Sequence, residues 1–440
     1  MTAAKTLEER QRAHILYTWT AQAAASPVSI SHGRGAVFWD HAGDRWLDFE
    51  SQVWNCNVGH GEERISEAIA RQARELACAH PAALFEAKAA LGEQLAAITP
   101  GDMQHFFLGL SGAEANENAY KIARMVTGRL KVVARRRSYH GASMGALSLT
   151  GDPRRLPVEP GLWGVVRAED PYCYRCPFGR TPDCCGLACA EHLERVIELE
   201  GPTTIAAVFM EGVTGANGGF VPPPSYWPRI REICDRHGIL LVADEVLTGF
   251  GRTGRWFAVD HWGVVPDLLT MGKGVTGGYA PLGVTAVSPA IARYFQERTL
   301  WAGLTSYAHP VSCAASVAAI RVYQEDGLVE RAAALESVVR DEWARLHEKW
   351  DVIGDARVIG LLGTLELVKD RATREPFVPL HSPEAGTPMA ALKKALKARR
   401  VHMLVKGNFV FLAPPLCITE AELREGIALI DDALSEVFGS

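Results

Sequence analysis

The sequence predicts an α/β protein: a large domain whose mostly parallel sheet is flanked by helices, plus a smaller α+β domain. Three observations carry this. ILLVADEV (Ile239 to Val246) is a continuous apolar run with almost no polar alternation, as expected of a strand covered on both faces. Strand-like and helix-like segments alternate through the middle of the chain, which is the signature of crossover connections. At 440 residues the chain is also too long for one compact core.

The elements follow in order. GAVFWDHAGDRWLDFES (Gly35 to Ser51) alternates and reads as a hairpin with Asp40 to Asp44 in the turn. ISEAIARQARELACA is helical, MQHFFLGLS is a strand ending in a small-residue turn, and AEANENAYKIARMVTG is a helix. LKVVARRRS and TIAAVFMEG (Thr204 to Gly212) read as strands, YWPRIREICDRHG as a helix stopped by glycine, and Leu268 to Met271 as a short buried strand. From about residue 325 a long helix, LVERAAALESVVRDEWARLHEKW, leads to the strands GLLGTLELV and FVFLAPPLCI. These segments predict an N-terminal segment, 1–55, packing with a small C-terminal domain, 326–440, around a large domain, 56–325.

Bulk properties narrow the function. With 48% hydrophobic and 22% charged residues the composition is that of an ordinary globular protein. A formal net charge of -5 gives no electrostatic case for nucleic-acid or membrane binding. No apolar run approaches a membrane span and MTAAKTLEERQRAH lacks the apolar core of a signal peptide, so a cytoplasmic location is expected. Five of ten cysteines (Cys173, Cys176, Cys184, Cys185, Cys189) crowd into PYCYRCPFGRTPDCCGLACAEH. Cys173 and Cys176 have the spacing of a zinc half-site, with His192 nearby, but a second C-x-x-C is missing, so free thiols are favoured and no metal is expected.

Four local features bear on chemistry. Lys273 stands in MGKGVTGG, at the end of a core strand and among glycines that let other groups approach. Asp244 ends the preceding strand, 29 residues earlier, at the sheet end where ligands bind. Taken alone, the two could equally be a buried ion pair. Ser111-Gly112-Ala113 lies between a strand and a helix, where backbone N–H groups and the helix dipole suit a phosphate, although an N-cap serine without ligand is common. Tyr139-His140-Gly141 follows a strand and offers an aromatic pair to cover a flat ring. An amine nucleophile, a buried carboxylate, a phosphate cup and an aromatic plate together match the needs of pyridoxal 5'-phosphate.

Here the residues reach a family. ADEVLTGFGRTGRWFAVDHWGVVPDLLTMGKGVTGGYAPLG (Ala243 to Gly283) resembles the class III, or omega, aminotransferases of pyridoxal-phosphate fold type I. LSGAEANENAYKIAR is similar to the family's phosphate-cup helix, SYHG to its ring-stacking segment, and LTSYAHPVSCAA (Leu304 to Ala315) to the segment that reaches into the neighbouring subunit. The resemblance implies a homodimer with shared active sites. It implies that Lys273 holds the cofactor covalently, that Asp244 partners the ring nitrogen, and that Val246 packs on the ring opposite Tyr139 with His140 beside it. Ser111, Gly112 and Ala113 would hold the phosphate, with Thr305 reaching it from the partner chain. Two departures stand out: Leu247 occupies a position where many members have glutamine, and Glu211-Gly212 stands where many have Glu-Pro, leaving Glu211 beside the cofactor.

On the substrate side, Trp54 in WNCNVGHG would form an apolar wall, although a tryptophan in a chain with 11 of them reads more simply as core. HILYTW, FESQVWNCNVGH and EGVTGANGGFVPP look like the subgroup containing taurine aminotransferases. The implied substrates are an omega-amino acid or amine as donor and a small keto acid such as pyruvate as acceptor. Members commonly carry an arginine before the final APPL-type strand; Leu404 falls at that position, and Lys406 is the nearest cation and the expected contact for the acceptor's carboxylate, with Tyr139 also lining the substrate side and Arg399 and Arg400 placed on the preceding helix facing water. The same scaffold also supports racemases, decarboxylases and aminomutases.

Overall fold

The computed structural model describes residues 6–439; the first five residues, part of the segment read as lacking a signal peptide, and Ser440 lie outside it. A seven-stranded sheet forms its centre. The strand order is His105–Gly109, Gly283–Val287, Leu268–Met271, Leu240–Asp244, Ile205–Glu211, Lys131–Arg135, Val165–Ala168. Only Gly283–Val287 runs antiparallel to its neighbours, which makes the sheet mostly parallel. Ile205–Glu211 is buried at every position, which explains why it shows no polar alternation.

Leu240–Asp244 and Leu268–Met271 are parallel neighbours with Asp244 opposite Thr270. One crossover therefore delivers Asp244 and the Gly272-Lys273 turn to the same sheet end. The helix Gly112–Thr127 follows His105–Gly109 directly and packs on the same sheet.

Two further sheets hold the chain ends. The hairpin Val37–Asp40 and Arg45–Asp48 joins Ile30–Arg34 on one side and Val401–His402 on the other, so residues near both termini share one sheet. Asp40 accepts N–H bonds from Ala42 and Asp44 in the turn, both at 2.9 Å. Ile353–Ile359, Leu362–Asp370, Phe409–Leu412 and Val405–Lys406 form the last sheet, with Glu375–Pro376 beside Leu362–Asp370. The long helix is Leu328–Lys349. The helix read through ELACA ends at Glu75, because Leu76 turns to extended backbone.

Among the described residues no helix is long and apolar enough to cross a membrane. All ten cysteines are unpaired, and among the described residues no group of three or more His, Cys, Asp or Glu side chains is placed to hold a metal ion.

Candidate active site

The site lies at the ends of the central strands and is organised around Asp244, which is 3% exposed. A carboxylate at that depth requires donors. Its Oδ2 accepts from Asn116 Nδ2 at 2.8 Å and faces His140 Nδ1 at 2.7 Å; its Oδ1 accepts the Val246 N–H at 3.0 Å. With Asp244 ionised, the His140 proton sits on Nδ1. His140 Nε2 is buried without a partner. Two carboxylate oxygens offer about four acceptor positions. Three are taken, leaving one on Oδ1 for a further N–H.

His140 is 2% exposed and stands edge-on to Phe209 at 6.2 Å. Its Nδ1 is committed to Asp244, which places His140 beside the carboxylate. Asn116 was not read from the sequence. It is fully buried one helical turn after Gly112, and its Oδ1 accepts from Thr270 Oγ1 at 2.8 Å while its Nδ2 also donates to His140 O. A polar residue on the inward face of AEANENAYK was the available signal.

Asp244 and Glu245 diverge because successive side chains of a strand point to opposite faces. Glu245 is fully buried and accepts the N–H groups of Ala258 and Val259 at 3.0 and 2.9 Å, with Thr248 Oγ1 also donating to it. Burial pushes its carboxyl up to about 7. It holds the 3-10 turn Ala258–Trp262 and takes no part in the site.

Lys273 opens the short 3-10 turn Lys273–Thr276 at a φ of 44°, a left-handed conformation that a residue with a Cβ adopts at a cost. Its Nζ makes no hydrogen bond or ion pair among the described residues and lies 5.7 Å from the Trp54 ring. Desolvation lowers its ammonium to about 8, against the pull of Asp244 and Glu211.

Ser111 caps the helix, its Oγ accepting the Glu114 N–H at 3.2 Å. The next two N–H groups, of Gly112 and Ala113, have no partner within the helix. Gly112 is required by packing: a Cβ there would lie 2.5 Å from Val246 Cγ1. A Cβ on Gly272 would sit 3.2 Å from Gly112 Cα, so the lysine turn and the helix start are in close approach. Thr305 is exposed in a turn just before the helix Pro310–Glu325.

Glu211 is buried and its carboxyl is pushed up to about 7 by desolvation. It accepts N–H bonds from Gly215 at 3.0 Å and Tyr139 at 3.3 Å, so it positions the tyrosine. Trp54 is 5% exposed and clusters with Leu247, Phe411 and the partly buried Leu404. It is carried on a turn, Ser51 to Trp54, in which all four residues have positive φ. A left-handed turn of non-glycine residues costs roughly 1–2 kcal/mol per residue and persists only where the surroundings enforce it. Ser51 Oγ donates to Ala413 O and accepts from Arg252 Nη2 at 3.0 Å. Nothing in SQVW announces this turn, because none of its residues favours the conformation.

Lys406 was expected to meet an anion. Its Nζ is already 3.2 Å from Asp152 Oδ2 and donates to Asn217 Oδ1 at 2.8 Å. Arg154, which the sequence reading missed, shares that Asp152 oxygen at 2.7 Å and lays its guanidinium 3.6 Å from the Tyr139 ring centroid.

Comparison with known proteins identifies the family. The Aminotransferase class-III family matches residues 19–434, and the chain belongs to it. The chain is 35% identical over 447 residues to a taurine–pyruvate aminotransferase of Bilophila wadsworthia, covering 96% of each chain. It is 34% identical over 420 residues to a leucine/methionine racemase of Thermococcus litoralis, covering 94% of this chain and 91% of the relative. Among solved structures it superposes with a TM-score of 0.93 and 36% identity on taurine:2-oxoglutarate aminotransferase from Bifidobacterium kashiwanohense, in complex with PLP and glutamate; the match covers 97% and 96% of the two chains. The fold is that of fold type I transaminases, and the chain is a pyridoxal-phosphate-dependent aminotransferase.

Proposed function

We propose that this aminotransferase moves an amino group from an omega-amino acid or amine, taurine-like donors included, to a small keto acid such as pyruvate. One observation carries the reading of the site: a lysine amine without partners and a buried carboxylate with one acceptor position open stand at one sheet end, beside a helix start with free N–H groups. Pyridoxal phosphate fits this set. Gly112 and Ala113 N–H would take its phosphate, with Ser111 shaping the turn and Thr305 contributed by a partner chain. Val246 and Tyr139 would enclose the ring, and Glu211 would fix Tyr139. Asp244 would accept the ring N–H on Oδ1.

When bound, the cofactor supplies an electron sink for the carbon that loses its proton. The chain's own residues do the rest. Asp244, held by Asn116 and His140, keeps a negative charge against the ring nitrogen. Lys273 Nζ, with no hydrogen bond of its own, would take the proton from the amine-bearing carbon of the donor and deliver it on the cofactor side rather than back to that carbon, and would move a proton in the opposite sense in the acceptor half-reaction. Its ammonium, lowered to about 8, is within reach of the free base at neutral pH. Trp54 and Leu404 present an apolar wall where an arginine fork would otherwise stand. That favours pyruvate over a dicarboxylate acceptor.

The reading includes a homodimer and a cytoplasmic location. Leu84 and Trp301 are 97% and 77% exposed, large apolar side chains suited to an interface that also carries Thr305. Ten unpaired cysteines suit a reducing compartment. Light scattering at assay concentration should return a dimer; an active monomer would contradict it. The reaction itself is tested by supplying donor and acceptor separately. A transaminase is driven to a stable pyridoxamine form by donor alone and returned by pyruvate. A racemase or decarboxylase stays in the aldehyde form.

A further inference from the structure

We infer that Arg154, with Lys406 beside it, forms a built anion site at the substrate mouth that selects donors bearing a distal carboxylate or sulfonate. The inference rests on the transaminase reading above and names the substrate class of that site.

The site is assembled from three separate segments. Asp152 and Arg154 follow the helix Met144–Leu149, Asn217 sits in the loop after Ile205–Glu211, and Lys406 ends the strand Val405–Lys406. Asp152 has a side chain only 1% exposed, and its Oδ2 serves both cations, Arg154 Nε at 2.7 Å and Lys406 Nζ at 3.2 Å. Its Oδ1 accepts the Arg154 backbone N–H at 2.9 Å. Two cations share one carboxylate, so the cluster keeps one net positive charge.

Donor capacity is also left over. Arg154 turns Nε and Nη2 toward Asp152 Oδ2, Nη2 being buried without a hydrogen bond, and Nη1 makes none among the described residues, while Lys406 has one of its three N–H groups uncommitted after Asp152 and Asn217. The Arg154 guanidinium carbon lies 3.6 Å from the Tyr139 ring centroid and 5.4 Å from that of Trp19. A guanidinium packed over an aromatic ring, with one edge on a carboxylate and the other open, is preorganised for an oxyanion. Tyr139 connects this cluster to the Asp244 and Lys273 end of the sheet through Glu211 and the adjacent His140.

A donor with a distal sulfonate or carboxylate would meet the open edge. An uncharged alkylamine gains nothing there, and a diamine would bring its second ammonium toward two cations. The same edge would receive the carboxylate of the keto acid.

The test compares wild-type holoenzyme with Arg154→Gln and Arg154→Lys. The first readout is the affinity for propanoate and ethanesulfonate, which lack an amine and cannot react, measured by calorimetry. Loss of one charged hydrogen-bonding partner should weaken binding about tenfold to a hundredfold in Arg154→Gln, with partial recovery in Arg154→Lys. The second readout is the ratio of kcat/KM for taurine to that for butylamine, which should fall by a comparable factor. Unchanged propanoate affinity in Arg154→Gln, or an equal loss for taurine and butylamine, would overturn the assignment. If the wild type converts no donor to the pyridoxamine form while propanoate affinity still depends on Arg154, the transaminase reading fails and the anion site stands.

Discussion

Arg252 is fully buried and makes four hydrogen bonds that tie the Trp54 turn to the rest of the chain. Its Nη1 donates to Leu361 O at 3.1 Å and Pro414 O at 2.5 Å, and its Nη2 to Ser51 Oγ at 3.0 Å and Asn57 Oδ1 at 2.9 Å. No carboxylate lies within ion-pair distance among the described residues. Burial lowers its pKa to about 10, so it remains a cation at neutral pH. Consider Arg252→Met, which keeps much of the volume. Removing one partner from a buried, hydrogen-bonded charge network costs roughly 3–5 kcal/mol. Methionine also removes the cost of burying the guanidinium, so a loss at the low end, about 3 kcal/mol, is expected. At about 2.1 cal/mol/K per residue, a chain of 440 residues has an unfolding entropy of about 0.9 kcal/mol/K, so Tm should fall only about 3 °C. Activity should fall further than so small a shift suggests. The left-handed turn stores roughly 4–8 kcal/mol over its four residues, and freeing Ser51 lets it relax and carry Trp54 away from Lys273. Calorimetry gives the first number and kcat/KM with a good donor the second. A drop in Tm with unchanged kcat/KM would show that the turn is held by other contacts and that Arg252 serves stability alone.

Other predictions concern the centre of the site. Asp244→Asn should still bind cofactor and lose at least about a hundredfold in turnover, because an amide cannot hold the ring proton; rates near wild type would make Asp244 merely structural. Gly112→Ala should weaken cofactor binding to apoenzyme, since the new Cβ would meet Val246 at 2.5 Å, and equal affinity in a fluorescence titration would remove the argument from packing. In apoenzyme the Lys273 ammonium is lowered from 10.5 to about 8. The unfolded chain therefore binds the extra proton between those values, and the stability contributed at this position rises with pH from about 8 to 10.5. Lys273→Met should remove that rise in denaturant titrations at successive pH values; an unaltered slope would place the lysine in water.

Much of the site is legible in the sequence because its residues obey local rules. Asp244 and Lys273 end buried strands, and two adjacent parallel strands must bring their ends together. Ser111-Gly112-Ala113 starts a helix, so free N–H groups follow from the geometry of any helix start. What the sequence hides is long-range. The contact of His140 with Asp244, at 2.7 Å, joins residues 104 positions apart. Arg154 reads as one more cation in GDPRRLP, and only the return of Lys406 from 252 positions later shows that they share Asp152. The strained turn at Trp54 depends on Arg252 and Ala413, neither of which is a neighbour in sequence.

The role proposed for Lys273, holding the cofactor covalently, is open to a direct chemical test. Purified enzyme should be yellow; borohydride reduction, digestion and mass mapping should place the pyridoxyl group on the peptide containing Lys273, and Lys273→Ala should yield no such adduct. A reduced adduct on any other lysine, or one that survives in Lys273→Ala, would contradict it.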